Sequence, residues 1–252
     1  MSQWPADWLV PDWPAPQRVK ACVTTRSGGI SPSPFDTFNL GDHVDDAPEA
    51  VAGNRNRLRQ LLGARPAWMS QVHSTDAVHA DPARLHAADA NWSETPGIAC
   101  AVLTADCLPV LFCDRAGTRV AAAHAGWRGL AGGVLEATVE ALDTPAEQLL
   151  AWLGPAIGPD AFEVGPEVRE AFVKQHAIAA DAFRPSRNAG RFMADLYQLA
   201  RIRLAALGLV DVHGGGFCTF SDSRFYSYRR AARTGRFASL IWLDDVPVKD
   251  AR

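Results

Sequence analysis

The chain has 252 residues, a formal net charge of −3, 48% hydrophobic residues and 21% charged residues, an ordinary composition for a globular protein. The small negative charge argues against a nucleic-acid binder or an anionic-membrane binder, and no apolar run reaches the roughly 20 residues of a membrane helix. The five cysteines form no CxxC pair and no secreted-type framework, so we expect reduced thiols and a cytoplasmic protein.

The N-terminal segment, residues 1–17, alternates prolines with aromatic residues. We predict an extended arm on the surface, anchored by the packing of its tryptophans, Trp4, Trp8 and Trp13. The segment has neither the basic n-region nor the apolar h-region of a signal peptide, so it is not predicted to be one.

A strand is predicted over Arg18–Thr25, and it leads into a loop with two adjacent glycines. Gly28 and Gly29 allow the backbone to turn its N–H groups towards an anion, and Arg26 adds a positive charge beside them. An ordinary turn is equally compatible with this pattern.

Hydrophobic periodicity and end signals predict the remaining elements. The helices are predicted over Pro48–Leu62, Gly129–Leu142, a short stretch after Thr144, Gly165–His176 and Asp195–Leu207. The strands are predicted over Trp68–Val72 with Thr75–Ala80 as its partner, Ile98–Thr104, Leu108–Cys113, Val120–His124, Leu149–Leu153 and Ala238–Leu243. Residues 177–191 are predicted to be a polar connection, and the assignment of residues 83–92 stays open. Without a repeat or linker, residues 1–252 are predicted to form a single domain, a layered α/β sandwich with mixed central sheets flanked by helices.

Three side chains that bind metals well each follow or end a predicted strand: His73, Cys107 and His124. A thiolate and two imidazoles suit Zn²⁺, and three protein ligands leave a fourth position open for water or substrate. Two other interpretations fit the same residues. The histidines can be hydrogen-bonded rim residues beside a small core cysteine, or Cys107 can be a nucleophile with His124 as its base. Asp106 can orient a histidine or cap a turn.

Several motifs then carry a resemblance to a known family. They are TTRSGG (24–29), SPFDTFNLGDHV (33–44), QVHS (71–74), LTADCLPVL (103–111), AAAHAGWRG (121–129), LGPAIGPDAFEVG (153–165), DLYQLARIRL (195–204), CTFSDSRFYSYRR (218–230) and TGR (234–236). Together they resemble the YfiH family, whose members are also labelled laccase-domain polyphenol oxidase, peptidoglycan editing factor and purine nucleoside phosphorylase. The resemblance implies that His73, Cys107 and His124 are the metal ligands and catalytic residues.

The resemblance also implies the function. We expect a zinc-dependent enzyme that phosphorolyses adenosine, inosine and methylthioadenosine and deaminates adenosine, with nucleoside and phosphate as its small-molecule partners. Two other hypotheses stay open: a hydrolase that edits muropeptide precursors through Cys107, and a metal-binding partner protein without turnover. The candidates for holding nucleoside and phosphate are Arg26, Gly28, Gly29, Asn39, Arg128, Arg229 and Arg230.

The label of laccase implies copper. A blue-copper centre also uses two histidines and a cysteine, and Cu²⁺ can occupy a zinc site. An oxygen-reducing trinuclear cluster needs many more histidines, usually in His-x-His pairs. The seven histidines of this chain, at positions 43, 73, 79, 86, 124, 176 and 213, include no such pair. We therefore expect copper-dependent polyphenol oxidation to be a less favoured alternative.

Overall fold

The computed structural model describes residues 4–245. Its strands, in chain order, are β1 (Val19–Val23), β2 (Arg65–Ala67), β3 (Met69–Ser70), β4 (Ala77–His79), β5 (His86–Ala87), β6 (Ala90–Ser93), β7 (Ile98–Thr104), β8 (Leu108–Asp114), β9 (Val120–Ala125), β10 (Leu149–Leu153), β11 (Glu163–Val164), β12 (Phe183–Pro185), β13 (Phe192–Ala194), β14 (Val212–Gly214) and β15 (Phe237–Leu243). The α-helices are α1 (Pro48–Leu62), α2 (Trp127–Gly132), α3 (Val134–Ala141), α4 (Pro166–Val173) and α5 (Leu196–Ala206). Short 3₁₀ helices occupy Ala146–Gln148 and Ala177–Ala182.

Two large mixed sheets form the centre of the fold. The first has the strand order β1-β15-β7-β2 and the second has the order β14-β10-β8-β9-β6-β4. The facing sides of the two sheets share one apolar cluster, to which β7 contributes Val102 and β8 contributes Leu111. The two sheets therefore pack face to face, as in other sandwiches.

Helices cover the outer faces of both sheets. On β8, Val110 and Phe112 point away from the first sheet and pack with leucines of α3 and α5. On the other side, α1 packs on the first sheet through Leu58 and Leu62. The observed layers are thus helix, sheet, sheet and helix, which confirms the predicted layered α/β sandwich. Strands β7, β8 and β9 are buried along their whole length, as their continuous apolar sequences predicted.

Several predicted elements were wrong in detail. The helix predicted over Gly129–Leu142 is two helices, because Gly133 adopts a φ of 111°, which an α-helix cannot contain. The strand predicted before His73 is shorter, and it does not pair with the strand after it. Instead β3 pairs in parallel with β5, and β4 pairs in parallel with β6.

The predicted polar connection over residues 177–191 contains a 3₁₀ helix and strand β12, because Ala179, Ala182 and Phe183 pack into the core. Helix α4 ends at Val173, before the predicted end at His176. The Thr144 hydroxyl bonds to the carbonyl of Leu142 and does not cap the next helix. Asp195 does cap α5, because its side chain accepts hydrogen bonds from the backbone N–H groups of Tyr197 and Gln198.

The described part of the N-terminal arm packs on the first sheet. Trp8 is buried against Phe38, and Leu9 exchanges two backbone hydrogen bonds with Val23. The indole N–H of Trp4 donates to the carbonyl of Leu61. The tryptophans therefore anchor the arm, although Trp8 belongs to the core more than to the surface. Within residues 4–245, no helix is long and apolar enough to cross a bilayer.

Candidate metal centre

His73, Cys107 and His124 meet at one point on the rim of the second sheet. One ligand atom from each residue lies within 4.8 Å of the ligand atoms of the other two. The Cys107 Sγ is 3.8 Å from the Nε2 of His73. His124 is buried, Cys107 is half-buried and His73 is exposed. In the part of the chain that the structure describes, no other group of three histidine, cysteine or acidic side chains is placed to hold a metal ion.

The pairing of β8 with β9 brings the thiol to the buried imidazole. Leu108 lies opposite Ala125 and Pro109 lies opposite His124, so Cys107 projects just beyond the end of this ladder. Gly126 continues β9 at the same end. A Cβ atom at Gly126 would lie 2.7 Å from the His73 ring and 3.1 Å from the Cys107 Sγ, so only glycine leaves room between the ligands.

Asp89 holds both histidines in place. Its fully buried carboxylate accepts a hydrogen bond from the Nδ1 of His124 at 2.7 Å. The same carboxylate accepts from the backbone N–H groups of Val72 at 3.1 Å and Ser74 at 2.6 Å, on either side of His73. His73 itself has a φ of 61°, a strained conformation for a histidine that these two bonds maintain. Because Nδ1 of His124 faces Asp89, its Nε2 is the nitrogen available to a metal.

The three charged groups of the centre stabilise one another. Burial disfavours the Cys107 thiolate, but the positive charge of His124 and hydrogen bonds from both histidines outweigh this and lower the pKa of the thiol. Burial also disfavours the His124 imidazolium, but the Cys107 thiolate and Asp89 raise its pKa. In Asp89, burial opposes ionisation, while the hydrogen bond and charge of His124 lower the pKa of the carboxyl. Cys107 is therefore set up as a thiolate, the form that binds metals.

The donor set and the shape of the site fit a metal ion such as Zn²⁺. The Cys107 thiolate and two imidazoles are preferred zinc ligands, and three protein ligands are typical of catalytic zinc sites. The side of the centre that no ligand occupies opens into a cavity of about 380 Å³. This volume lies in the range of small-molecule sites.

Besides the candidate metal ligands, the cavity has a wall that is cationic and aromatic. Arg229 and Arg236 line it, together with His43, Phe162 and Tyr228. The two guanidiniums donate to backbone carbonyls, and within residues 4–245 neither has a carboxylate within 4.0 Å. Burial and the nearby charge of Arg236 lower the pKa of His43, so His43 is neutral at neutral pH. Within the described residues neither guanidinium forms an ion pair, although the negative charges of Cys107 and Asp106 act on Arg236.

Asp106 connects this wall to the metal ligands. Its carboxylate accepts hydrogen bonds from the Thr219 hydroxyl and from the backbone N–H of Arg229, both at 2.6 Å. Neither role considered from the sequence is observed, because Asp106 contacts no histidine of the centre and ties the loop before β8 to the C-terminal segment. Its φ of 107° places the carboxylate there.

The glycine loop does not reach the cavity. The guanidinium of Arg26 forms an ion pair with Asp36 at 2.7 Å, and the N–H of Gly29 donates to the Thr37 hydroxyl at 3.1 Å. Gly28 is exposed on the surface. The guanidinium of Arg26 and the N–H of Gly29, which were predicted to hold phosphate, therefore already have partners. None of the three residues Arg26, Gly28 and Gly29 lines the cavity.

Of the other predicted substrate residues, only Arg229 lines the cavity. Arg128 is exposed and stacks on the Trp127 ring, 4.5 Å from its centre. Arg230 donates to backbone carbonyls of its own segment, including that of Thr219 at 2.7 Å. Asn39 is buried, and its side-chain oxygen accepts from the backbone N–H of Arg236 at 2.8 Å. Asn39 therefore supports a cavity residue without entering the cavity.

Four further residues belong to the site although they were not predicted from the sequence: Asp89, Gly126, His43 and Arg236. Asp89 had a detectable signal, since a lone acid between small apolar residues indicates a buried and paired carboxylate. His43 and Arg236 lie within motifs that resemble the family, but nothing in their local pattern indicated a role.

Comparison with known proteins agrees with this architecture of a single α/β domain. The family model described as multi-copper polyphenol oxidoreductase laccase matches residues 20–244. The chain is 70% identical over 239 residues to "Purine nucleoside phosphorylase PA4543" of Pseudomonas aeruginosa, covering 94% of this chain and 99% of that protein. It is 54% identical over 240 residues to "Purine nucleoside phosphorylase YfiH" of Escherichia coli, covering 93% and 98%.

Two solved structures also superpose closely on this chain. The protein NMB0706 of Neisseria meningitidis superposes with a TM-score of 0.91 at 52% identity, covering 94% of this chain and 99% of that one. YlmD of Geobacillus stearothermophilus superposes with a TM-score of 0.88 at 28% identity, covering 96% and 98%. The chain therefore belongs to the YfiH family, the laccase-domain family that the sequence motifs indicated.

Proposed function

We propose that the protein is a zinc-dependent purine nucleoside phosphorylase whose reaction takes place in the cavity above His73, Cys107 and His124. The observation that carries the proposal is that a candidate metal-ligand group and two guanidiniums without an ion pair line the same cavity of small-molecule size. The names of the Pseudomonas and Escherichia relatives support the same activity.

In this proposal, Arg229 and Arg236 hold the phosphate, which replaces the earlier assignment to Arg26. Planar guanidiniums match phosphate oxygens in bidentate pairs, and both side chains already line the cavity. Tyr228, which is 57% exposed, and Phe162 offer ring faces on which a purine can stack. A phosphate oxygen then bonds to the ribose carbon as the bond from that carbon to the purine nitrogen breaks, and the proton of the hydrogen phosphate passes to the departing purine.

A zinc ion bound by the three ligands would act as a Lewis acid and would lower the pKa of a water molecule. The chain's own residues prepare that position. Asp89 fixes the imidazole of His124 and the backbone on either side of His73, Gly126 keeps the space between the ligands free, and His124 keeps Cys107 ionised. Adenosine deamination needs only an activated water at the purine, so we propose it as a second reaction of the same cavity. The substrates proposed are adenosine, inosine and methylthioadenosine.

Phosphorolysis can be tested by measuring release of base and ribose 1-phosphate from each nucleoside with and without phosphate. The zinc-loaded protein should form both products only with phosphate, and the chelated protein should form neither. Inosine formation from adenosine without phosphate measures deamination separately. Zinc-loaded protein that releases no base from any of the three nucleosides would refute the proposal.

A second candidate function is supported by Cys107, His124 and Asp89, which have the composition of a cysteine hydrolase triad: His124 lies within 4.8 Å of the thiol and hydrogen-bonds to Asp89. In this reaction the thiolate attacks the amide carbonyl of a muropeptide precursor, and His124 transfers a proton to the leaving amine. Water then hydrolyses the thioester, which releases the carboxylic acid product and frees the Cys107 thiol. A metal ion on Cys107 would block the attack, so chelation should activate this reaction and abolish phosphorolysis.

Copper-dependent polyphenol oxidation is a third candidate that rests on the description of the family. Metal analysis and a phenol-oxidation assay on the same sample distinguish it from the first proposal. We also infer a cytoplasmic location, since all five cysteines are free thiols.

A further inference from the structure

A second pocket, of about 460 Å³, lies between α1 and the segment that contains β2 and β3. Three arginines line it, Arg55 and Arg59 from α1 and Arg65 from β2, beside the ring of Trp68. We call it the arginine pocket. None of its lining residues lines the metal cavity, so it is a separate site.

The positive charge of this pocket is only partly neutralised. Arg55 pairs with Asp42 at 3.2 Å, whereas Arg59 and Arg65 have no carboxylate within 4.0 Å in the described part of the chain. Both unneutralised side chains belong to exposed residues, so a ligand can reach them. Three guanidiniums around one concavity attract an anion that carries several charges.

The size and lining of the arginine pocket indicate which class of ligand it can hold. A volume of about 460 Å³ suits a small molecule better than a macromolecular surface. Guanidiniums match phosphate oxygens in bidentate pairs. The guanidinium of Arg55 lies 4.7 Å from the centre of the Trp68 ring, so charge and an aromatic surface occur side by side.

The arginine pocket is also connected to the metal cavity. Arg55 donates from Nε to the carbonyl of Leu40 at 2.9 Å and pairs with Asp42. The carboxylate of Asp42 lies 3.6 Å from Nδ1 of His43, which lines the metal cavity. A ligand that competes with Asp42 for Arg55 therefore acts on the loop that carries a residue of the metal cavity.

We propose that the arginine pocket binds the phosphate chain of a small di- or triphosphate. The shared chemistry of the ligand is a run of linked phosphates, either free or attached to a nucleoside. This inference does not rest on the proposed phosphorolysis, because it concerns other residues and is tested by binding.

The test uses the fluorescence of Trp68 and two probes, inorganic tripolyphosphate and ADP. Binding in the arginine pocket should change the emission of the wild-type protein, and this change should be absent in Trp68→Phe. The double variant R59Q/R65Q should bind at least about tenfold more weakly, because two charge-assisted contacts are lost. The matched control is R57Q, which removes the same kind of charge from α1 at a residue that does not line the pocket.

A third variant tests whether Asp42 competes with the probe for Arg55. D42N removes the carboxylate that competes for Arg55, so it should tighten binding of the probe. A response to both probes identifies the bare phosphate chain as the ligand chemistry, and a response to ADP alone identifies a nucleotide. The proposal is overturned if neither probe changes the Trp68 emission at about 1 mM. It is also overturned if R59Q/R65Q binds like the wild type and R57Q.

Discussion

The metal side and the cationic side of the cavity are held in different ways. On the metal side, His124 belongs to a fully buried strand, and Asp89 is itself buried and bonded to three donors. On the cationic side, Arg229 and Arg236 lie on segments without helix or strand, and their guanidiniums bond only to backbone carbonyls.

This difference separates two tasks. A metal centre needs ligands fixed to within a fraction of an ångström, and a buried strand with a buried carboxylate provides that rigidity. A substrate wall has to release its contacts in each turnover, which loop arginines with weak protein partners can do. We therefore expect substitutions on the metal side to remove the reaction, and substitutions on the cationic side to change affinity for substrate.

The largest effect is expected from Cys107→Ala. The variant should lose its metal, and its turnover should fall at least about a hundredfold. This fall exceeds the loss expected when only a hydrogen bond to a metal ligand is removed. It should remain folded, because the core is large enough without a structural metal. Metal analysis, circular dichroism and the phosphorolysis assay measure the three properties. Cys218→Ala is the matched control, and metal-free Cys107→Ala with full turnover would show that the centre is misassigned.

Asp89→Asn should have the next largest effect. The amide keeps the shape of the side chain but cannot accept all three hydrogen bonds, so His124 and the backbone around His73 lose their fixed positions. Metal affinity should fall about 10- to 100-fold. Competition with a chelator measures the affinity, and Asp76→Asn is the control, since that exposed side chain makes no hydrogen bond in the structure. Equal affinities for both variants would contradict the role given to Asp89.

Arg236→Lys should raise the KM for phosphate about tenfold and leave metal content unchanged. The lysine keeps the charge but loses the bidentate geometry of a guanidinium. Phosphate titrations of ribose 1-phosphate release measure the effect. Arg26→Lys and Arg128→Lys should leave this KM unchanged, because neither residue lines the cavity. A larger increase in Arg26→Lys than in Arg236→Lys would restore the glycine loop as the phosphate site.

The smallest effect concerns the reactivity of Cys107 in metal-free protein. The positive charge of His124 helps to lower the pKa of Cys107 to about 6, although burial opposes this. Alkylation should therefore be nearly constant above pH 7 and decline as the pH falls through 6, where the thiolate takes up a proton. His124→Gln should move the midpoint upward. Mass spectrometry of the labelled peptide separates Cys107 from the other thiols, and an unchanged midpoint would contradict the ion pair.

The sequence indicated the residues that meet at His73, Cys107 and His124 far better than the residues of the cationic side. The ligands end or follow apolar strands that are recognisable from continuous hydrophobic runs, and short motifs surround each of them. The break at Gly133 was missed because a single glycine inside a periodic pattern does not reveal its φ angle.

The cationic side depends on contacts between residues distant in sequence. Asn39 fixes the backbone of Arg236, and Asp106 fixes the backbone of Arg229, across 197 and 123 positions. No local pattern records such contacts. Arg26 was a candidate because an arginine beside two glycines resembles an anion site, but Asp36, ten positions away, pairs with it.

The central claim is that His73, Cys107 and His124 hold one metal ion, and X-ray absorption spectroscopy of the purified protein tests it most directly. We predict about one Zn²⁺ per chain, with one sulfur at ~2.3 Å and two imidazole nitrogens at ~2.0–2.1 Å. The sulfur signal should disappear in Cys107→Ser. A metal without a sulfur ligand, or full phosphorolysis by protein that contains no metal, would contradict the account.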